Sequence, residues 1–373
     1  MSEHLSHKYT DQEKLARIRL IRSAGIGPVT FHRLVDRFGG ATAALDALPG
    51  LARRSGAKPP RITPLDAARR EWDAARAAGA ALVFHGEAAY PPLLARTDDA
   101  PAFLALRGDL AFLRKRAIAI VGARNASANG QRLAQALARD LGHAGLLVVS
   151  GLARGIDAAA HAGALDTGTL AVIGGGIDIA YPRQNRLLQD AIAEADALVS
   201  EARPGEQPTA RHFPRRNRII AGITRGVVVV EAAPRSGSLI TARLAAEYGR
   251  DVFAVPGAAH DPRGRGTNGL LRDGAILAEC ADDVLAALPA LTSSSAPARE
   301  TAAKARSQPP QMPLASGDAR DTVIAALGTA PSSIDDIVRV SGIASEAAQT
   351  VFTELELSGR LERHPGGRVA LRA

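Results

Sequence analysis

Arg215, Arg216, Asn217 and Arg218 stand together between Pro214 and the apolar run Ile219, Ile220, Ala221. A guanidinium is planar, permanently charged and carries five N–H donors, so this cluster suits the binding of phosphate or carboxylate. Solvation accounts for charges scattered over an outer face, but not for arginines set against a hydrophobic segment. The same pairing of arginine with small residues recurs along the chain. Gly122, Arg124 and Ser127 lie in VGARNAS, and Ser150, Gly151, Arg154, Gly155 and Asp157 lie in SGLARGID. Tyr181, Arg183 and Asn185 follow the Gly174–Gly176 run, and Arg235, Ser236, Gly237 and Ser238 lie in PRSGS. Glycine lets a ligand approach the backbone, and a following helix offers free N–H groups and a partial positive charge. One phosphate needs one or two such loops; a row of five suits a backbone with several phosphates. One of Arg215, Arg216 and Arg218 is expected instead to pair with Glu201 or Glu231 and hold a helix.

Other chemistries lack their residues. The chain has no GxxxxGK[ST] for Walker-type hydrolysis, and VIGGGIDIAY is not GxGxxG, which argues against a dinucleotide. It has no Gly-x-Ser-x-Gly elbow and no metal spacing of histidines. The single cysteine, Cys280, excludes an intrachain disulfide and a cysteine zinc cluster. His143, His161, His212 and His260 read as helix, cap or loop residues, and Asp157 as an acid in the first turn of its helix. No catalytic residue, metal or cofactor is expected.

The elements that must position these loops can be read from hydrophobic periodicity. From about 81 to 287, apolar runs such as AIAIVG, GLLVVSG, TLAVIGGG, ALVSE, GVVVVEAA, DVFAVPG and AILAE alternate with helical patterns. In one of these, Leu133, Leu137 and Leu141 recur every four residues. Near-continuous apolar strands separated by helices predict a parallel sheet covered on both faces, an extended Rossmann-like α/β domain. Ligands then collect at the carboxyl ends of the strands, where all five loops fall. Residues 1–80 read as helical, with a helix, the turn AGIGP and a second helix, VTFHRLVDRFGG. This is either a helix-hairpin-helix unit or a plain αα-turn. Residues 288–317 have linker composition. Residues 318–373 read as three helices and a hairpin turning at Gly366-Gly367, a winged helix. Acids outnumber bases in this tail, and Glu346, Glu354 and Glu356 lie on its third helix. That sign does not suit a major groove. Arg363, Arg368 and Arg372 on the wing are its DNA-facing option.

The 373 residues carry a formal charge of +8, 46% hydrophobic and 23% charged residues, values of a globular protein with polyanionic partners. The polar N-terminus lacks an apolar signal segment, and no run approaches the roughly 20 apolar residues of a membrane span, so a cytoplasmic protein is expected.

The strings VGARNAS, VVSGLARGIDAAAHAGAL, GTLAVIGGGIDIAYPRQNRLL, ARHFPRRNRIIAG and VVVVEAAPRSGSLITARLAAEYGRDVFAVPG closely resemble the DNA-processing protein A (DprA, Smf) family over about 110–285. The resemblance implies a non-enzymatic protein that binds single-stranded DNA in natural transformation, protects incoming strands and loads RecA recombinase. It also implies a dimer through the Rossmann-like domain; from the residues themselves, Asn268–Ala275, with Leu270 and Leu271 in a loop-rich region, is the candidate surface. Arg124 matches the family's DNA-contacting arginine, the 150–157 and 181–185 segments match loops around the strand, and Arg216, Asn217 and Arg218 match its RNR string. Many relatives carry an aromatic where this chain has Asn129-Gly130, which leaves Phe213 and Tyr181 as stacking candidates. The alternative is a nucleotide-binding enzyme similar to nucleoside-monophosphate hydrolases. Against it, PRSGSLITA stands where that fold carries an acid-bearing PGGxGTxxE.

Overall fold

Thr10 opens the first helix by accepting a hydrogen bond from the Glu13 N–H, and Asp11 and Glu13 complement the positive end of its dipole. This helix, α1 (Asp11–Arg22), runs into a turn in which Gly25 takes φ +76°, and Pro28 then begins α2 (Pro28–Phe38). Proline's fixed φ and missing N–H suit a helix start. With α3 (Ala41–Arg54) and α4 (Leu65–Ala77) they form an N-terminal helical domain. Its core of Ile18, Leu20, Phe31 and Leu34 continues into Phe84 and Phe103 at the edge of the neighbouring sheet. Each such side chain buried contributes about 1.5–3 kcal/mol, so shared apolar packing ties the helices to the sheet. The computed structural model describes residues 8–54, 60–288, 317–328, 330–364 and 368–372.

The central sheet contains β1 (Ala81–Phe84), β2 (Phe103–Gly108), β3 (Ala117–Val121), β4 (Leu147–Ser150), β5 (Thr169–Ile173), β6 (Ala197–Ser200), β7 (Gly226–Val229), β8 (Asp251–Ala254) and β9 (Ile276–Leu277). Their order across the sheet is β1-β2-β6-β5-β4-β3-β7-β8-β9. β1 and β2 pair antiparallel with each other and β2 antiparallel with β6; every pair from β6 to β9 is parallel. Strands β3 to β9 fall on the seven apolar runs of the sequence, as the parallel-sheet reading predicts.

Crossover helices cover both faces. Ile118, Ile120, Val148 and Val228 pack against α5 (Ala128–His143), α6 (Ile156–Ala164) and α11 (Ala281–Ala287). Leu137 and Leu141 of α5 are fully buried there, and Leu133 packs at the margin. The alternate residues Ala119, Val121, Val149 and Val227 pack against α8 (His212–Ile223) and α9 (Gly237–Glu247). α7 (Arg186–Ala195) covers β5 and β6, and α10 (Arg265–Arg272) precedes β9. Strand order reverses at β3, with β4 on one side and β7 on the other. The crevice outside the carboxyl ends of β3 and β7 is therefore the expected ligand position.

The C-terminal domain is a winged helix: α12 (Gly317–Ala326), α13 (Ile334–Ser341) and α14 (Ser345–Leu357), with β10 (Ser332–Ser333), β11 (Leu361–His364) and β12 (Arg368–Leu371) in the order β10-β12-β11. Val351, Phe352, Leu355 and Val369 form its core, and α14 packs against α3. The expected turn at Gly366-Gly367 and nearly all of the 288–317 linker lie outside the described residues.

Candidate nucleic-acid interface

The loop after β3 is built around Gly122. A Cβ there would stand 2.6 Å from Ile156 Cγ1, so only glycine lets β3 run this close to α6. The loop ends at Ser127, which caps α5 by accepting from the Gly130 N–H at 2.9 Å. The Ser127 hydroxyl and N–H also donate to the Glu231 carboxylate, at 2.5 and 2.9 Å. Glu231 leaves the end of β7 and occupies the N-terminus of α5, so this helix start is filled by the protein's own anion. Gly130 makes room for it, since a Cβ there would fall 2.6 Å from the carboxylate.

The loop after β4 is closed in a similar way. Asp157, buried in the first turn of α6, accepts from the Gly151 N–H at 3.2 Å. Burial holds its carboxyl above the ordinary range, against the opposing pull of Arg216 and of the N–H groups of Ala153, Gly151 and Gly122. Gly155 has φ +76°, and a Cβ on it would meet Ala123 O at 2.3 Å. Ser150 is fully buried and donates to Ile120 O at 2.6 Å. Asn185 is buried too, and its amide donates to Leu152 O at 2.9 Å and Ala153 O at 3.2 Å, tying the third loop to the second.

The arginine-rich segment is helical, and this decides what each residue does. Successive residues on α8 turn by about 100°, so its arginines point in different directions. Arg218 is 6% exposed and pairs with both oxygens of Glu201 at 2.6 Å. Burial works against its charge, but Glu201 and Asp99 outweigh that and hold the guanidinium above its ordinary range. Arg216 turns toward the crevice instead, donating to Val172 O at 3.0 Å, with its guanidinium lying on Gly151. Its Nε–H is buried and meets no acceptor among the described residues. Burial pushes its pKa down to about 10, with Asp157 opposing the shift and Arg124 adding to it. Asn217 donates to Gly237 O at 3.1 Å, and Arg215 is exposed.

Above Arg216, the exposed Arg124 guanidinium lies 4.7 Å from the Phe213 ring centroid. Tyr181, 44% exposed, sits 5.7 Å from Phe213 with rings inclined by 38°. A cavity of about 1100 Å³ opens here, lined by Arg124, Phe213, Arg216, Arg235 and Ser236. A smaller one of about 190 Å³, beside Tyr181 and Arg154, shares Arg124, Phe213 and Arg216 with it. Ser236 caps α9, and the hydroxyls of Ser236 and Ser238 are 2.7 Å apart. Among the described residues no carboxylate enters this first turn, where Ser236 accepts from the Ser238 N–H at 3.4 Å and lines the cavity with Gly237 and Ser238.

The structure thus brings Arg124, Arg216, Arg154, Arg235, Gly237 and the backbone at Gly122 and Gly151 to one crevice, with exposed Arg183 and Arg215 outside it. Ser127, Ser150, Asn185 and Arg218, also expected at the ligand, are bound to protein partners, and Asn217 lines the cavity while donating to Gly237 O. Each lies where a loop or helix needs its own backbone or charge satisfied. Two features escape the sequence reading. Glu231 is a helix anchor rather than an arginine partner, and Arg263, paired with Asp261 at 2.8 Å, forms part of the cavity wall. The DPRGRG string after β8 was the available signal for the second. In the winged helix, Arg363 turns inward to Glu356 at 3.1 Å. Among the described residues no helix is long and apolar enough to cross a membrane.

Fixed cations beside neighbouring aromatic rings have the chemistry that suits phosphates and bases. Comparison with known proteins points the same way. The model of the family described as DNA recombination-mediator protein A matches residues 81–289, that of the DprA-like N-terminal HHH domain 11–74, and that of the DprA winged helix domain 305–367. The DNA processing protein DprA of Streptococcus pneumoniae is 48% identical over 199 residues, 53% of this chain and 70% of that protein. The X-ray structure of DNA processing protein A from Streptococcus pneumoniae superimposes with a TM-score of 0.63 at 32% identity, covering 76% of this chain and 99% of that one. A DNA processing protein A from Helicobacter pylori, described for its single-stranded DNA binding mode, superimposes with a TM-score of 0.50 at 30% identity, covering 52% and 90%. The Rossmann-like sheet with its crevice at the β3–β7 reversal, the helical domain before it, the winged helix after it and these likenesses together place the chain in the DprA family of DNA recombination-mediator proteins.

Proposed function

We propose that this protein binds single-stranded DNA without sequence preference along the crevice at the carboxyl ends of β3, β4, β5 and β7. In this reading it protects incoming strands and loads RecA recombinase onto them in transformation and homologous recombination, without catalysing a reaction itself. The carrying observation is the stack of Arg124 on Phe213 above the buried, incompletely satisfied guanidinium of Arg216. A phosphate oxygen completes Arg216, and the rings of Phe213 and Tyr181 receive a base from any nucleotide. Arg154, Arg183, Arg215 and Arg235 extend the positive track to further phosphates. Family membership and the Helicobacter pylori relative support the choice of single-stranded DNA.

Dimerisation through the Rossmann-like domain belongs to the same proposal. Edge strand β9 leaves Ile276 and Leu277 36% and 46% exposed, next to half-buried Leu270 and Leu271 of α10. An apolar sheet edge of this kind is a ready surface for a second copy. Asn268, by contrast, is bound inward to Gly257.

The test is fluorescence anisotropy of labelled oligothymidine and of a duplex, at two salt concentrations, for wild type and Arg124→Ala. Salt-sensitive binding that favours the single strand and falls in the variant supports the site. Equal duplex binding, indifferent to Arg124, refutes it.

A further inference from the structure

At the opposite, N-terminal edge of the sheet, Arg225 immediately precedes β7 and Arg250 immediately precedes β8. The two strands pair in parallel with Gly226 opposite Asp251, so the arginines stand side by side. Arg96, exposed at the end of a short 3-10 turn, joins them, and its charge acts on Arg250 together with that of Arg225. Arg250 donates to Leu93 O at 3.1 Å, but its Nε–H is buried and meets no acceptor among the described residues. The same holds for the Nε–H of Arg225. Burial first, then the charges of Arg96 and Arg225, holds Arg250 below the ordinary arginine range.

Arg96 and Arg250 open onto a cleft of about 1040 Å³ that is also walled by Arg33 of α2 and Arg363 of the wing. The carboxylates in its wall act on groups other than Arg96, Arg225 and Arg250. Asp99 accepts from the Tyr248 hydroxyl at 2.7 Å, and Glu247 faces Arg243 at 3.8 Å. Asp98 acts on Arg33, and Asp36 on His32 and His85. Three neighbouring guanidinium groups, two with unmet buried donors, make a cradle that an anion with several oxygens completes. Phosphate fits best, because forks arriving from different strands and a turn match oxygens spread over a tetrahedron better than a planar carboxylate.

We propose that Arg96, Arg225 and Arg250 form a second anion site, on the opposite edge of the sheet from Arg124 and Arg216, that takes phosphate oxygens of a nucleic-acid backbone or of a free polyphosphate. The site does not rest on the crevice reading above.

The experiment uses the full chain in the Arg124→Ala background, so that failure of the crevice and failure of this site are distinguishable. Tripolyphosphate raises the melting temperature of this protein, since a ligand of the folded state stabilises it by mass action. Adding Arg225→Gln and Arg250→Gln abolishes the shift. Arg96→Gln, an exposed substitution with little risk to folding, weakens tripolyphosphate binding about fivefold or more. No shift, or one indifferent to Arg96→Gln, overturns the proposal. Labelled oligothymidine then separates the two sources. Residual binding that falls on adding Arg96→Gln assigns the site to a nucleic-acid backbone. Residual binding unaffected by Arg96→Gln, with the tripolyphosphate shift still sensitive to it, assigns the site to a free phosphate compound.

Discussion

Gly151 lies directly under the Arg216 guanidinium, and no side chain fits between them: a Cβ on Gly151 would stand 1.3 Å from Arg216 Nη1. The glycine is the bed on which the buried guanidinium lies. Gly151→Ala therefore expels Arg216 from the crevice floor. Stability falls by about 1–3 kcal/mol, as for other overpacked sites, and oligothymidine affinity falls by about tenfold or more with the lost charge-assisted contact. Gly50→Ala, on α3 and outside the crevice lining, is the control, because a Cβ there meets nothing within 4 Å. Urea denaturation and anisotropy on both variants check this; equal behaviour of the two would refute the role given to Gly151.

Phe213 and Arg215 separate stacking from charge. Phe213→Ala removes the ring between Arg124 and Tyr181 and costs about 1–3 kcal/mol of binding, with the salt dependence nearly unchanged. Arg215→Gln leaves the rings intact but reduces the slope of log affinity against log salt by about 0.7, one phosphate contact. Salt titrations of the two variants read both numbers.

Arg218→Met tests the structural arginine. Breaking a buried pair by removing one partner costs about 3–5 kcal/mol, because Glu201 is left charged and unmatched. Arg218→Met together with Glu201→Leu recovers much of that loss. A double-mutant cycle in urea measures the coupling, and additive single effects would contradict the pair.

Asp196 supplies a pH dependence. Burial pushes its carboxyl from an ordinary 3.8 up to about 6, against the opposing Thr169 N–H and Lys115, and its Oδ2 is buried with no partner among the described residues. The folded pKa exceeds the unfolded one, so the contribution is fully present below about pH 4 and is lost as pH rises through about 6. Asp196→Asn removes this loss. The variant gains about 1–3 kcal/mol over wild type at pH 7, and the difference shrinks toward pH 4. Denaturation midpoints across pH 4–7.5 check both the size and the sign.

Local pattern determined much of this protein. Seven apolar runs become β3 to β9, and the four-residue recurrence of Leu133, Leu137 and Leu141 places α5, because strand and helix periods depend on near neighbours alone. The glycine and arginine loops follow, since parallel strands bring their carboxyl ends to one side. ALVF and FLALRG, which become β1 and β2, are not among those runs; they pair antiparallel and extend the parallel sheet beyond β6. Tertiary structure decided the division of labour within Arg215-Arg216-Asn217-Arg218. A helix sends consecutive side chains to different sectors, and the groups they meet, Val172 O, Gly237 O and Glu201, come from distant parts of the chain. It also gave the start of α5 to Glu231 and, among the described residues, brought no carboxylate to that of α9, which Ser236 caps. Both follow a serine in a glycine-rich loop, and only the fold brings a carboxylate to one of them. Charge and spacing mark where a phosphate could bind; the partners already seated there decide which of those places is free.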